Sequence, residues 1–400
     1  MNIFFIPSWY RTKENPLPGI FFKDQALAVG EIYSQSKVII SLAESEEYSL
    51  PLNRPLKAII NLLVFSRAHP SIKKIAPNVW EFRQPALVWN QRILSGNLAK
   101  IVQAHEANFL SAQKKLGRID IIHAQSVFRA GLIARRLSQK YHLLYIIDEH
   151  VWPFPSGEFK KNKLLEREIF RALQGAAKVT AVSHAVQKDL KKCGFSSVYI
   201  PNAVDENDFK PILKKNHRPF IFFTLGRITV EKGIGDLIKA AAIIIKTNKI
   251  VQFRIGGEGA DLKSFQQKAR ELKVDRFIKW LGPLNRSQVK KEFQNCDAFV
   301  LPSHHESFGV VYIEALACGK PIIATRCGGP ESIVNQKNGL LVNVGDIDSL
   351  AGAMKKMIED IQLYSPNEIR KDFLTKYSYK AVAKKLMDIY DTVTKNDSKK

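Results

Sequence analysis

The chain has 400 residues, 45% of them hydrophobic and 25% charged, with a formal net charge of +23. That length exceeds what one hydrophobic core organises and predicts two domains of an ordinary globular protein. No apolar run reaches the roughly 18 residues of a spanning helix. The apolar start at residues 1–7 has no basic segment before it, and Cys193, Cys296, Cys318 and Cys327 form no metal-like or paired motif. The sequence therefore predicts a cytoplasmic protein with reduced thiols, neither secreted by a signal nor integral to a membrane.

The positive charge is uneven. Residues 1–215 carry 31 Lys and Arg against 18 Asp and Glu, residues 216–376 carry 24 against 17, and residues 377–400 carry 6 against 3. A basic first half favours anionic partners: nucleic acid, anionic headgroups or phosphorylated substrates.

In chain order, residues 2–7 read as a parallel strand, 8–18 as a polar loop, and the segment from Gly19 to Val29 as a helix. That places Gly19 in a strand–loop–helix turn at the C-terminal edge of a parallel sheet, where ligands sit; simple turn chemistry would explain the glycine equally well. Residues 37–41 are a second strand and 44–55 a loop. Leu56, Ile59, Ile60 and Leu63 then recur at helical spacing, with Arg54, Lys57 and Asn61 on another face. Such a basic amphipathic helix can lie in a bilayer interface or can pack on the first sheet. A short strand follows at 79–82, a helix at 95–116, and strands at 120–125 and 143–150 separated by a basic helix at 130–140. His123 and His150 fall at the ends of those two strands. A helix at 164–174, a strand at 178–183 and the segment 197–205 close the first domain, and the lysine-rich stretch 206–219 is the expected linker.

The second half opens with a buried strand at 220–225 and the loop Gly226-Arg-Ile-Thr-Val-Glu-Lys-Gly233, then a helix at 236–246. Arg227 and Lys232 are permanent cations suited to a diphosphate, one as a planar fork and the other as a point charge. Val251 to Gly259 is a strand with a glycine loop that does not complete a dinucleotide fingerprint. A strand at 277–282 and a helix at 287–295 follow. The apolar run 298–301 then leads into Pro302-Ser-His-His-Glu-Ser-Phe-Gly309. A helix begins near Gly309, with Val310, Ile313, Leu316 and Ala317 at its spacing, and Gly319 and Pro321 end it. Free N–H groups at such a start attract an anion. Glu314, in the second turn, leans toward that end, and Glu306 lies outside it. Carboxylates there suit sugar hydroxyls, although a loop cap and an ordinary surface glutamate also fit those positions. A strand at 321–325, a short strand at 339–342, a helix at 348–360 and a tail helix at 379–393 complete the chain, with 396–400 expected to be disordered.

Glu306 and Glu314, with seven residues between them in the frame Glu-Ser-Phe-Gly-Val-Val-Tyr-Ile-Glu-Ala-Leu-Ala-Cys-Gly-Lys-Pro, resemble the signature of the family 4 retaining glycosyltransferases. The likeness extends to Cys327-Gly-Gly-Pro-Glu-Ser-Ile-Val334, to Leu225-Gly-Arg-Ile-Thr-Val-Glu-Lys-Gly233, and to Pro201-Asn-Ala-Val-Asp205. The resemblance implies a GT-B fold: an α/β protein of two facing doubly wound Rossmann-like domains. The first domain, 1–205, would take the acceptor. The tail, 377–400, would cross back to that domain, and 216–376 would hold a nucleotide-sugar.

By that resemblance His150, Glu306, Arg227 and Lys232 are the catalytic residues. Gly19, Arg227, Lys232, Glu306, Phe308, Gly309, Val310 and Glu314 are the donor-binding ones. His150 departs from the family pattern in its neighbours, Asp148, Glu149 and Trp152-Pro-Phe-Pro155. The implied activity is retaining transfer of a hexose from a UDP- or GDP-linked sugar to a glycan or lipid-linked acceptor, as in polysaccharide, lipopolysaccharide or glycolipid synthesis. No covalent intermediate is expected. No cofactor and no metal are expected, because Arg227, Lys232 and the helix start would neutralise the diphosphate. The basic first half adds the expectation of a peripheral seat on anionic membrane at the cytoplasmic face. Alternatives are a glycogen-synthase-like or phosphorylase-like enzyme of the same fold, or a nucleic-acid-binding protein. The scattered basic residues argue against the last, and no lysine-bound cofactor site is visible for a phosphorylase.

Overall fold

The computed structural model describes the chain except for residues 11–18, 44–47, 52, 90–96, 158–162, 213–218, 248–249 and 398–400. Parts of the expected loops at 8–18 and 44–55, of the linker at 206–219, of the helix from 95 and of the tail at 396–400 lie outside the described residues. The chain divides into two compact units. Met1–Val182, Val186–Ala203 and Tyr379–Lys400 form one; Ser183–Ala185 and Val204–Ser378 form the other.

The first unit holds β1 (Asn2–Pro7), β2 (Lys37–Leu42), β3 (Ser49–Leu50), β4 (Ser71–Ala76), β5 (Val79–Arg83), β6 (Val88–Trp89), β7 (Ile121–Gln125), β8 (Tyr145–Glu149), β9 (Lys178–Ala181) and β10 (Val198–Tyr199). Eight of them form one sheet in the order β10-β9-β8-β7-β1-β2-β5-β4, and β3 pairs with β6. Pairing is parallel except at the edge, where β4 runs antiparallel to β5. Consecutive residues of β1 and β7 are buried, as expected of parallel strands covered on both faces. The strand order reverses between β1 and β7, so the loops leaving Pro7 and Gln125 open a crevice there.

The helix Tyr379–Asp397 belongs to this unit. Val382, Leu386 and Tyr390 are wholly buried in a cluster with Ala26, Val29 and Ile146. Tyr379 donates to Asp24 Oδ1 at 2.8 Å, and the Tyr390 hydroxyl meets His123 Nδ1 at 2.6 Å. His123 is fully buried within β7 rather than at its end, which makes it a tie for the tail helix.

Burial lowers His123 to about 4 and His105, which meets the Ser41 hydroxyl, to about 3. Both values lie below the unfolded value near 6.5. The unfolded chain therefore binds protons first, and stability is full above that value and lost as the pH falls toward 4. At pH 5 the two groups together remove about 4 kcal/mol, or roughly 10 °C of melting temperature for a unit of this size. Thermal melts from pH 7.5 to 5 check this; a melting temperature flat over that range would show both rings to be solvated.

The second unit holds β11 (Phe220–Leu225), β12 (Val251–Gly256), β13 (Ile278–Gly282), β14 (Ala298–Leu301), β15 (Ile322–Thr325) and β16 (Gly339–Val342). They form one parallel sheet in the order β13-β12-β11-β14-β15-β16. The order reverses between β11 and β14, so this unit's crevice opens between the loops that leave Leu225 and Leu301. Helices at Leu262–Glu271 and Pro366–Lys376 were not anticipated by the apolar spacing.

Candidate active site

The two loops at the second unit's switch point meet. Lys232 Nζ lies 2.6 Å from Glu306 Oε1, and the Ser303 hydroxyl donates to the same oxygen at 3.0 Å. The pair is only partly hydrated, with side chains 19% and 11% exposed. The backbone of Glu306 is fixed on both sides: its N–H donates to Cys327 O and its carbonyl accepts from Gly329 N–H. The Cys327-Gly-Gly-Pro-Glu331 segment is therefore the rail that carries Glu306. His304 is held in turn, by its N–H to Glu231 O and by its ring to Asp236 Oδ2 at 2.6 Å.

Close packing of backbone sets the loop positions. A Cβ on Gly233 would lie 1.8 Å from Pro302 O, so only glycine lets the cationic loop touch the Glu306 loop. Gly257 has φ of 125°, and a Cβ there would lie 1.9 Å from Gly226 O. The glycines after β12 thus let a neighbouring loop cross them, at Gly226 O and at Ile228 O. Arg227 is exposed on the same loop as Lys232.

The helix Val310–Ala317 starts from Gly309, with Gly309 and Val310 half-buried and Glu314 half-buried in its second turn. Phe308, expected to bind donor, is 2% exposed and set edge-on to Tyr377. Its ring is core, so only its backbone is placed to serve a ligand. The structure thus joins Lys232 with Glu306 directly and sets Gly309, Val310 and Glu314 on the element that follows.

The first unit's crevice carries Gly19 and His150. Gly19, with φ of 70°, caps the helix Ile20–Ile32. Phe21 and Phe22 of that helix's first turn enclose His150, one stacked at 5.2 Å and the other edge-on at 4.8 Å. His150 Nε2 lies 3.0 Å from Asp148 Oδ2. Asp148 also accepts from Thr180 and from Gln25. Burial pushes the Asp148 carboxyl up, but His150, His123 and the Thr180 hydroxyl outweigh it and hold the pKa below the ordinary range. An ionised Asp148 accepts the proton on Nε2 and so sets the tautomer of His150. Glu149, fully buried, accepts from Ser126 and from the N–H groups of Val127, His150 and Val151, riveting two loops together. Burial raises its pKa despite those bonds.

Residues 63–208 match the family described as Glycosyltransferase Family 4, and residues 205–373 match Glycosyl transferases group 1. The putative teichuronic acid biosynthesis glycosyltransferase of Bacillus subtilis is 27% identical, with 99% of each chain covered. The chain is a family 4 glycosyltransferase with the GT-B fold. An uncharacterized glycosyltransferase of Methanocaldococcus jannaschii is 32% identical, but the match spans only 42% of this chain and 43% of that relative. Among solved structures, Anabaena HepE in complex with UDP superposes with a TM-score of 0.70 at 18% identity, covering 98% of this chain and 100% of that one.

Several residues of this glycosyltransferase's candidate site carried no sequence signal of their own. Asp148 and Glu149 were visible only as a departure from the family pattern, and the structure gives them work as the orienter of His150 and the rivet of its loop. Arg370 donates to Ala317 O and to Phe209 O, each at 2.6 Å, so it caps the far end of the helix that begins at Gly309. One Asp-x-Asp triplet, Asp346-Ile347-Asp348, is present. Asp346 spends its carboxylate on Ser349 as the N-cap of the helix Ile347–Glu359. Cys318 and Cys327 are pushed up to about 12 by burial, and all four cysteines are thiols outside any disulfide.

Proposed function

We propose that this glycosyltransferase moves a hexose from a nucleotide-sugar, UDP- or GDP-linked, to a glycan or lipid-linked acceptor, with retention at the anomeric carbon and without a metal. The single observation that carries the reading is the Lys232–Glu306 pair at the second unit's switch point, beside an exposed Arg227 and the start of the helix Val310–Ala317. In the reaction the anomeric C–O bond to the diphosphate breaks and a glycosidic bond forms. Negative charge then builds on the departing diphosphate. Lys232, Arg227 and the helix-start N–H groups stabilise it there, where water is partly excluded. Glu306 takes sugar hydroxyls and Glu314 the ribose. On the first unit, His150 serves the acceptor, and Gly19, where a Cβ would lie 2.5 Å from Trp9 O, fixes the start of the helix that encloses it. The binding of UDP by the HepE structure supports a nucleotide-sugar. The teichuronic acid assignment of the Bacillus relative supports a cell-surface polymer. The acceptor is presented at the inner face of an anionic membrane, in keeping with the basic first 215 residues. Among the described residues no helix is long and apolar enough to cross a membrane.

Release of nucleotide from a panel of UDP- and GDP-sugars tests the reading, with the product's anomeric configuration assigned by NMR. At least one donor should turn over, with retention, and equally well in excess EDTA. Release from no donor would overturn the assignment. Loss of activity on chelation, restored by magnesium or manganese, would show that fixed cations do not replace a metal.

A further inference from the structure

The helix Pro55–Ser66 is built inside out. Leu56, Ile59, Ile60 and Leu63 follow i, i+3, i+4, i+7 spacing and form one stripe. That stripe faces away from the protein: the four side chains are 78%, 56%, 59% and 58% exposed, and Leu62 and Val64 beside them are exposed as well. The one buried side chain of the helix is polar. Asn61 turns inward and donates to Ser49 O at 2.7 Å. A helix that packs on its own sheet shows the opposite arrangement, with the apolar stripe inward and the polar residues in water. The spacing alone left both orientations open; the burial decides for the outward one.

The charge along this stretch of the chain is of one sign. From Tyr48 to Trp80 the chain has no Asp or Glu, but it carries Arg54, Lys57, Arg67, Lys73 and Lys74. All five are exposed, as is Ile72 on the edge strand β4 that follows the helix in the chain. Glu81 on β5 lies opposite Lys73 in the sheet, so one acid stands against five cations, and a second copy of the chain would still bring like charge against like, which disfavours a symmetric pair. The helix has 12 residues, so it is about 18 Å long. It is too short to cross a hydrocarbon core of about 30 Å and suits a position flat in the interface.

We propose that the helix Pro55–Ser66 is the element that seats this glycosyltransferase on an anionic lipid bilayer. Leu56, Ile59, Ile60 and Leu63 enter the acyl boundary, and Arg54, Lys57, Arg67, Lys73 and Lys74 meet headgroup phosphates. This deepens the membrane-presented acceptor argued above and rests on that reading. Each apolar side chain taken out of water contributes about tenfold or more in partitioning. Each cation adds a salt-sensitive increment.

The test is flotation with phosphatidylglycerol–phosphatidylcholine vesicles and with phosphatidylcholine alone, at low and high salt. The proteins are the wild type, Ile59→Asp/Leu63→Asp and Lys57→Glu/Lys73→Glu, with nucleotide release and melting temperature measured in parallel. The wild type should float with the anionic vesicles at low salt. Ile59→Asp/Leu63→Asp should lose about 10²-fold in partitioning, and Lys57→Glu/Lys73→Glu should lose the preference for anionic lipid. Melting temperature should be unchanged, because these side chains support no core, and nucleotide release should be unchanged too. If Ile59→Asp/Leu63→Asp floats like the wild type, this helix is not the seat, while the membrane reading stands. If the wild type stays in solution, the membrane reading fails as well. A lipid-free dimer by light scattering that Ile59→Asp/Leu63→Asp turns into a monomer would assign the stripe to a second copy and overturn the proposal.

Discussion

Glu306→Gln is expected to lower sugar transfer by about 10²-fold or more, the usual scale for losing a preorganised charge in a site partly closed to water. The change keeps the shape of the side chain and removes one charge. The loop should hold, because its position comes from backbone bonds to Cys327 and Gly329 and from Gly233 against Pro302, none of which involves the carboxylate. Melting temperature is therefore expected to move little. The kinetic signature separates the role from a structural one. With Glu306 neutral, Lys232 loses its ionic partner and is free for the diphosphate, so donor binding should hold or tighten while kcat falls. A loss confined to KM would assign Glu306 to ground-state binding. Near-normal turnover in the purified variant would remove it from the site.

The parts of this fold that were legible in the sequence are those decided by local pattern. The apolar runs at β1, β7, β11 and β14 are buried parallel strands, and the loops after β11 and β14 hold the residues the motif pointed to. What stayed hidden was decided at long range. A period of 3.6 gives a helix a face but not a direction, so the stripe from Leu56 to Leu63 read equally well as core or as surface. Glycine gives no sign of whether it admits a phosphate or another backbone, and Gly257 proves to admit Gly226. An acid at a strand end does not announce its partner; Asp148 finds His150, Thr180 and Gln25, the last two far along the chain. The aromatic ring of Phe308 sits inside the motif but faces the core, because a motif preserves backbone placement as well as contact.

Lys232→Ala is expected to cost at least as much, about 10²-fold or more in transfer, and for two reasons that a cycle of variants can separate. The first is the missing cation at the diphosphate. The second is a carboxylate left uncompensated: Glu306 is 11% exposed on its side chain and has Lys232 within 2.6 Å. Without that cation, its charge would stand beside a donor diphosphate of the same sign, with few waters to screen it. Donor affinity should therefore fall together with kcat, unlike in Glu306→Gln, where binding is retained. Lys232→Arg should recover part of the loss, since charge is restored but the reach and the fork geometry differ. In Lys232→Ala/Glu306→Gln the repulsion is gone, so the double variant should bind donor better than Lys232→Ala alone, and the two losses should not add. Isothermal titration with the nucleoside diphosphate and steady-state kinetics on the wild type and all four variants would read both quantities. If the double variant binds no better than Lys232→Ala, the two side chains act independently and the ion pair is not the unit that meets the donor.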